Sequence, residues 1–444
     1  MAILLGDKNL SVIEEVVLTS SQTYTARRTG IADVICIGGG GQGGSSGVGN
    51  VGATKLNTTG GGAGGYSRKR IPITSGDTFT VVVGAGGQAS STKLPGAGNL
   101  TAGGNGGEST FDHASATATI ALDSNGGVGG LANVDNSAGT YAGGAGGTAT
   151  GGDVNFTGGR GGSIIRGNNA ANNSGAFTTG GGAVAVHGTA FNGGDVNFTS
   201  GGTTAAATGG AGIGGNGGNI AYQVGGSSTS TSASGGGSAS GEGNGFTATH
   251  TDDAGSSALT AFAKTDVVMG GGRLPSHGGQ AGCTNSSVNC IAGNGGTGAL
   301  RAVLAGLGDT DYNSIYGGND KPTEVHDAAA FSFDAGVGDA GLARYPQPTG
   351  PGGGGGGACG DAGNNASNSV IAAGNGAAFA GGGGACSLVS SSELASSTEK
   401  ISSSGRGGIG GGGSGAAYLG CNVANATIEW ASGGDGVVII QYLG

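Results

Sequence analysis

The residues able to do chemistry are few and stand apart. The five histidines (His113, His187, His250, His277 and His326) are isolated from one another. The six cysteines are Cys36, Cys283, Cys290, Cys359, Cys386 and Cys421, with no Cys-x-x-Cys among them. A zinc site needs ligands clustered at short spacing. The cysteines therefore read as small buried thiols, with a Cys283–Cys290 loop disulfide as the other reading. No Gly-Lys-Ser/Thr is present, so no P-loop is expected. Asp153 and Asp195 directly follow Gly-Gly pairs, whereas calcium-binding nonapeptides need Gly-Gly-x-Gly-x-Asp in tandem. Both read as turn residues, with Val and Phe beside them as outward anchors. Serines are plentiful, but no Gly-x-Ser-x-Gly elbow sits in a strand-to-helix context. Carboxylate pairs occur at Asp252-Asp253 and Asp309/Asp311, but a sugar-cleaving fold would want more aromatics than the 5% present. The expectation is no enzyme, no cofactor and no metal.

Recognition chemistry is easier to place. Residues 309–348 gather Asp309, Asp311, Tyr312, Tyr316, Lys321, His326, Phe331, Phe333 and Tyr345 in a glycine-poor stretch. Exposed Tyr favours binding surfaces, and functional residues concentrate on loops held by a scaffold. A strand-and-turn lid over the end of a scaffold is the equal reading. Residues 246–277 form a second candidate, with His250, Asp252, Asp253, Arg273 and His277, and Gln88–Pro95 a third. Arg68-Lys69-Arg70 is the basic cluster, so nucleic acid and anionic membrane are poor partners.

A scaffold must hold such loops, and its composition is unusual. Of 444 residues, 112 are glycine, against a usual share of roughly 7%. Charged residues make up 10% and aromatics 5%. Collagen is excluded, because there are 7 prolines and no Gly at every third position. A coiled coil is excluded, because each helical glycine costs about 1 kcal/mol relative to alanine. Disordered chains are usually rich in Lys, Glu and Pro, and this chain is poor in all three. Its formal charge is −10, thinly spread. No basic segment followed by a long apolar run opens the sequence, and no run approaches the ~20 apolar residues of a membrane span. Synthesis in a cytoplasm without membrane insertion is expected.

Conventional strands are expected at both ends of the sequence. Residues 10–37 hold β-branched runs, the last of which drives into Gly38–Gly41. A strand pair is expected at 66–84 around Ser75-Gly76-Asp77. A closing hairpin is expected at 426–442 around Gly433-Gly434-Asp435-Gly436. Between them lie x-Gly-Gly triplets: Ala102-Gly-Gly-Asn105-Gly-Gly-Glu108, Asn125-Gly-Gly-Val128-Gly-Gly-Leu131, Ala142-Gly-Gly-Ala145-Gly-Gly-Thr148 and Arg406-Gly-Gly-Ile409-Gly-Gly. Gly151-Gly-Asp-Val-Asn-Phe-Thr recurs from Gly193, and such self-similarity points to stacked units.

A period of three is neither α-helix nor sheet. It matches a polyproline-II-type helix, with 3 residues per turn and ~3.1 Å rise. That helix has no internal hydrogen bonds, so each backbone group needs an outside partner. Two faces carrying only hydrogen atoms let neighbouring helices approach and bond to one another. The fold expected is mostly β with little α-helix. It has β-sandwich-like strands at both ends and a polyglycine-II-type bundle in the middle. The expected parts are 1–37 as strands and attachment region, 38–425 as scaffold with inserted loops, and 426–444 as a closing hairpin packed on the N-terminal strands.

The strand entering polyglycine at Ala32–Gly41, Gly64-Gly65-Tyr66, Thr80–Gly87, the repeat and the close at Gly433–Tyr442 together resemble the glycine-rich domain proteins of bacteriophage tail fibres and virion appendages. A looser likeness is to the distal adhesins of T-even-like phages, whose packed glycine helices carry receptor-touching loops. The resemblance implies a structural virion protein, a tail fibre or tail-tip adhesin assembled in the host cytoplasm. Its implied partners are a host surface receptor, other tail or capsid proteins, and further copies of itself. The alternatives are a capsid or tail decoration protein, or an extracellular structural protein such as an ice-binding bundle, with no receptor.

Overall fold

The computed structural model describes residues 12–48, 55–88, 90–93, 99–114, 119–135, 137–166, 174–185, 192, 195–198, 382–383, 400–421, 426–430 and 432–444. Beyond these it describes the strands at 206–207, 220–224, 228–233, 248–253, 267–268, 282–284, 290–291, 358–361, 369–372 and 386–393. Strands dominate and no helix occurs among the described residues, so the fold is mostly β, as the sequence predicts.

Alternating apolar residues form the first tier, a sandwich. Thr78–Val82 shows the period of two directly, with Phe79 and Val81 buried and their neighbours exposed. One five-stranded sheet runs Val12–Leu18, Val437–Leu443, Gly30–Ile37, Tyr66–Ile73, Val154–Phe156. The other runs Ala149–Thr150, Thr119–Ser124, Ser109–Ala114, Thr78–Val82, Gln22–Thr25. Between them Val34, Ile73, Val438 and Ile440 of the first sheet meet Phe79, Val81, Phe111 and Leu122 of the second. The Tyr24 and Tyr442 hydroxyls, 2.8 Å apart, tie the sheets together.

Two expected strand pairs do not form. Tyr66–Ile73 and Thr78–Val82 lie in opposite sheets, and the turn at Gly76 (φ 94°) carries the chain across the core. Ala426–Trp430 pairs with Lys400–Ser403 and Ser90–Lys93, while Val437–Leu443 pairs with Val12–Leu18 and Gly30–Ile37. The expected 426–442 hairpin is thus absent. Its supposed turn is a length of extended chain, in which Gly433 and Gly434 donate to Gly87 and Gly411.

That segment belongs to a second tier, built of glycine. Sandwich strands continue into it or emerge from it: Gly30–Ile37 into Gly38, Tyr66–Ile73 out of Gly65, Thr119–Ser124 into Asn125. Within it, backbone bonds recur at every third residue. Gly38, Gly41 and Gly44 donate to Gly65, Gly62 and Thr59. Gly39 and Gln42 donate to Gly107 and Gly104, and Gly40 to Gly434. Thr59, Gly62 and Gly65 donate in turn to Leu131, Val128 and Asn125, while Gly61 and Gly64 donate to Gly413 and Gly410. Each N–H points to a different neighbour from the one before it, and the fourth returns to the first.

The bonds sort most of the segments into three layers, with 382–383 and 405–408 bonded to the bottom one. Segments 102–108, 125–131 and 142–148 lie side by side on top, each antiparallel to the next. Segments 84–88, 38–44, 59–65 and 158–162 form the middle, and 179–183, 410–415 and 433–436 the bottom. Exposure along 125–131 and 142–148 also has a period of three. Asn125, Val128 and Leu131 are exposed, and the second glycine of each triplet, Gly127 and Gly130, is buried. The first sheet rests on this tier through Ile35, Ile37, Tyr66, Val437 and Ile439, which pack with Ala63 and Val184.

A third tier lies at the far ends of the glycine segments. It includes two six-stranded sheets. One runs Gly282–Thr284, Ala358–Asp361, Cys386–Glu393, Ala416–Cys421, Ser45–Val48, Asn99–Thr101. The other runs Val267–Val268, Cys290–Ile291, Ser369–Ala372, Lys400–Ser403, Ala426–Trp430, Ser90–Lys93. Every pairing is parallel except the last in each. The chain alternates between the two sheets as it climbs. The strands that flank 269–281, 292–357, 373–385 and 404–415 lie in different sheets.

Close approach explains the glycines of the second tier. A Cβ on Gly62 would lie 2.0 Å from the Ala145 carbonyl oxygen, and one on Gly127 would lie 2.0 Å from that of Gly62. Both obstacles are backbone, which no rotamer change removes. Gly127→Ala is expected to destabilise by about 3 kcal/mol or more, while Val128→Ser beside it stays within about 0.5 kcal/mol. Urea unfolding of the two variants measures both.

Candidate binding surfaces

The structure brings three of the expected recognition residues onto one strand. His250, Asp252 and Asp253 occupy Ala248–Asp253, the outermost strand of the sheet Ala132–Val134, Lys55–Thr58, Ser174–Thr178, Ile220–Val224, Ser228–Ala233, Ala248–Asp253. They stand in register with Thr231, Thr229 and Ser228. Arg273, His277, Asp309, Asp311, Tyr312, Tyr316, Lys321, His326, Phe331, Phe333 and Tyr345 lie outside the described residues. In the third stretch Gln88 is exposed and donates to the Gly86 carbonyl, while Ser90–Lys93 caps a third-tier sheet.

The basic cluster is half-exposed, and each of its residues has a partner in the fold. Arg68 and Arg70 both pair with Asp33, Arg70 Nε at 2.8 Å from Oδ1. Burial pushes the Asp33 carboxyl up, but the hydrogen bonds and charge of Arg70 and Arg68 hold it below the usual range. Lys69 donates to the Gly151 carbonyl at 2.9 Å.

The two copies of the Gly-Gly-Asp-Val-Asn-Phe-Thr repeat take different places. In the first, Asp153 accepts from the Arg70 N–H at 2.9 Å, and Phe156 stacks on Tyr66 with ring centroids 5.9 Å apart. In the second, Asp195 accepts from the Ser163 N–H at 2.9 Å and pairs with Arg160 at 3.1 Å. Each aspartate thus accepts from a backbone N–H. The outward-anchor expectation holds for Val154, 37% exposed, and fails for Val196, which is buried with Tyr141, Ile164 and Phe177.

Sequence reasoning missed the buried charges. Arg166 is 4% exposed, with its guanidinium 5.9 Å from the Tyr141 ring centroid and 5.8 Å from that of Phe177. Its Nη1 donates to the Asp135 carbonyl at 2.5 Å. Burial lowers its pKa, and the two rings offset part of that desolvation. Lys55, 3% exposed, has its pKa lowered by burial and by the Arg166 charge. No spacing pattern marks these residues, because their aromatic partners come from strands distant in sequence. Cys36 is fully buried, and burial pushes its thiol far up, so it is inert. Cys283 stands in register with Cys359 on the adjacent strand, while Cys290 lies in the other sheet. Among the described residues no group of His, Cys, Asp and Glu converges as a metal site.

Glu15 sits on the edge strand Val12–Leu18, in register with Gln441, which is in register with Asp33 beyond it. Its Oε2 accepts from Gln441 Nε2 at 2.8 Å, and its buried Oε1 has no partner. Burial raises its pKa from 4.5 to about 7, against the lowering effect of the Gln441 bond. A raised folded-state pKa gives a contribution that is full below about 4.5 and lost as pH rises through about 7. Glu15→Gln is therefore expected to match the wild type at pH 4. At pH 8 it should be more stable by about 1–2 kcal/mol, after discounting for solvent screening. Thermal unfolding across that pH range reads the difference.

No curated protein matches the chain. A family model described as a glycine-rich domain matches residues 17–258, which include most of the sandwich and the top and middle glycine layers. The match covers more than half of the sequence and the segments that build those layers, so the chain belongs to the glycine-rich domain family.

Proposed function

We propose that this chain is a non-enzymatic structural protein of a virion appendage, a bacteriophage tail fibre or tail-tip adhesin. In this reading a polyglycine-II-type bundle is the rigid scaffold, and glycine-poor segments bind a host surface receptor. The observation that carries it is the three-residue recurrence of backbone bonds between glycine segments. Three residues per turn is the geometry of a polyproline-II-type helix. Chain closed on itself in this way offers few grooves and much rigid support, which suits display rather than catalysis. Many copies on one particle would then bind through avidity.

Strand pairing favours two segments for the contact. The connection 292–357 joins the same two sheets that 373–385 and 404–415 join, yet it is several times longer. Cys290–Ile291 and Ala358–Asp361 on either side of it pair with Ser369–Ala372 and Cys386–Glu393, so those levels have partners without it. His250, Asp252 and Asp253 on their outermost strand are the second segment. The alternative, a decoration or other extracellular structural protein without a receptor, keeps the scaffold and loses the contact.

Exchange of 309–348 for an unrelated glycine-poor sequence is expected to leave the thermal unfolding midpoint within a few degrees. The same exchange should abolish binding of the purified chain to host cells and its ability to block infection. Binding that survives the exchange removes this segment from the contact. Absence of binding by the wild-type chain favours the alternative.

A further inference from the structure

From the top layer of the glycine tier we infer that this chain pairs with a second copy of itself, face to face, through the exposed residues of 102–108, 125–131 and 142–148. This inference does not rest on the host-surface reading. Three hydrogen-bonded segments side by side over a flat middle layer make a planar face. Their outward residues form level rows. The Gly103–Gly130 and Gly106–Gly127 bonds set one register, and the Val128–Ala145 and Asn125–Thr148 bonds set the other. Ala102, Leu131 and Ala142 share one level, and Glu108, Asn125 and Thr148 another.

The face is self-complementary. Rotation by half a turn about an axis along 125–131 lays segment 102–108 of one copy on 142–148 of the other. Val128 then meets Val128 and Leu131 meets Leu131, each side chain 45% exposed in the single chain. Ala102 meets Ala142, two small residues that let the backbones approach. Glu108 is the one charged residue of these rows, and it falls opposite Thr148 rather than opposite itself. Thr148 Oγ1 accepts from Asn125 Nδ2 at 3.0 Å, which leaves its hydroxyl proton for the incoming carboxylate. Leu100 and Val134, 46% and 37% exposed, lie on the strands that continue from segments 102–108 and 125–131 and extend the apolar part.

Area sets the strength. Three rows about 5 Å apart, with seven residues at ~3.1 Å rise, cover roughly 300 Å² in projection. That is below the ~800 Å² per partner of a standard stable interface. The pairing is weak and concentration-driven.

Sedimentation velocity of the full chain across the micromolar range tests it. The average mass is expected to climb toward twice the monomer's. Val128→Lys, which sets two charges against each other on the axis, is expected to hold the chain monomeric. Val128→Cys is expected to give a disulfide-linked dimer under mild oxidation, while Thr157→Cys, on an exposed flank off this face, gives none. A wild-type chain that stays monomeric with no cross-link in Val128→Cys overturns the proposal. So does association undiminished by Val128→Lys.

Discussion

The contact on which the rest depends is a peptide N–H meeting a carbonyl on a neighbouring glycine segment, with no side chain between the backbones. Bonds such as Gly41 to Gly62 and Gly62 to Val128 run 2.8–2.9 Å. Each nets only about 1 kcal/mol, and fixing a glycine costs more than that. A pair of segments would not hold together alone. Stability comes from layers, in which 38–44 and 59–65 are bonded on several sides at once. The same closeness fixes the composition. Most interior positions have no room for a Cβ, and the side chains the tier does carry mostly face outward at every third residue or meet a sheet, while buried Gln42 accepts from the Gly104 N–H.

Glycine segments slide past one another easily, since they lack side chains to mark register. The sheets supply the marks. Each sandwich strand delivers its glycine segment at a height set by apolar pairing, as where Ile35 and Ile37 stand in register with Ile439 and Val437. Where strand gives way to glycine, small hydroxyls manage the change. Ser124 Oγ donates to the Cys36 carbonyl and bonds to Ser67 Oγ, and Ser109 Oγ accepts from the Gly84 N–H. At the far end Arg166, between the rings of Tyr141 and Phe177, joins strands of two third-tier sheets, and Thr179, which donates to the Gly162 carbonyl, ties the bottom glycine layer to the middle one. The two kinds of structure are interdependent: glycine layers give the sandwich sheet its second covering, and the sheets give the layers their alignment.

This interdependence explains what the sequence does and does not disclose. The strands near each end and the period of three are local properties, and alternation or triplets reveal them. Pairing is not local. The run 66–84 looks like a hairpin because its turn chemistry at Gly76 suits one, yet its halves belong to opposite sheets. The 433–436 stretch looks like a turn because Gly-Gly-Asp-Gly suits one, yet it is a length of glycine layer. The repeat shows the limit most clearly. Identical Gly-Gly-Asp-Val-Asn-Phe-Thr segments pair antiparallel with Tyr66–Ile73 in one copy and parallel with Ile164–Arg166 in the other. What the copies share is a three-residue strand and the aspartate before it that accepts a backbone N–H, while the partner of that strand differs. Of the expected site residues, only His250, Asp252 and Asp253 fall on a described strand, and register there places them without revealing their task.

A tier that forbids Cβ atoms inside leaves two places where sequence can change without loss of the fold. One is the outward residue of each triplet, where Ala, Asn, Val, Leu, Glu and Thr all occur in the top layer. The other is a connection between third-tier sheets, since those sheets are held by strand pairs on either side. The first varies a surface one side chain at a time, on a lattice whose spacing the backbone fixes. The second can differ in length, as between 292–357 and 404–415. Recognition of a rigid, repeating partner such as another copy of the chain suits the lattice. Recognition of an irregular and changing partner suits the connection. The division follows from the glycine contact itself, because a scaffold that is almost all backbone has nowhere else to place specificity.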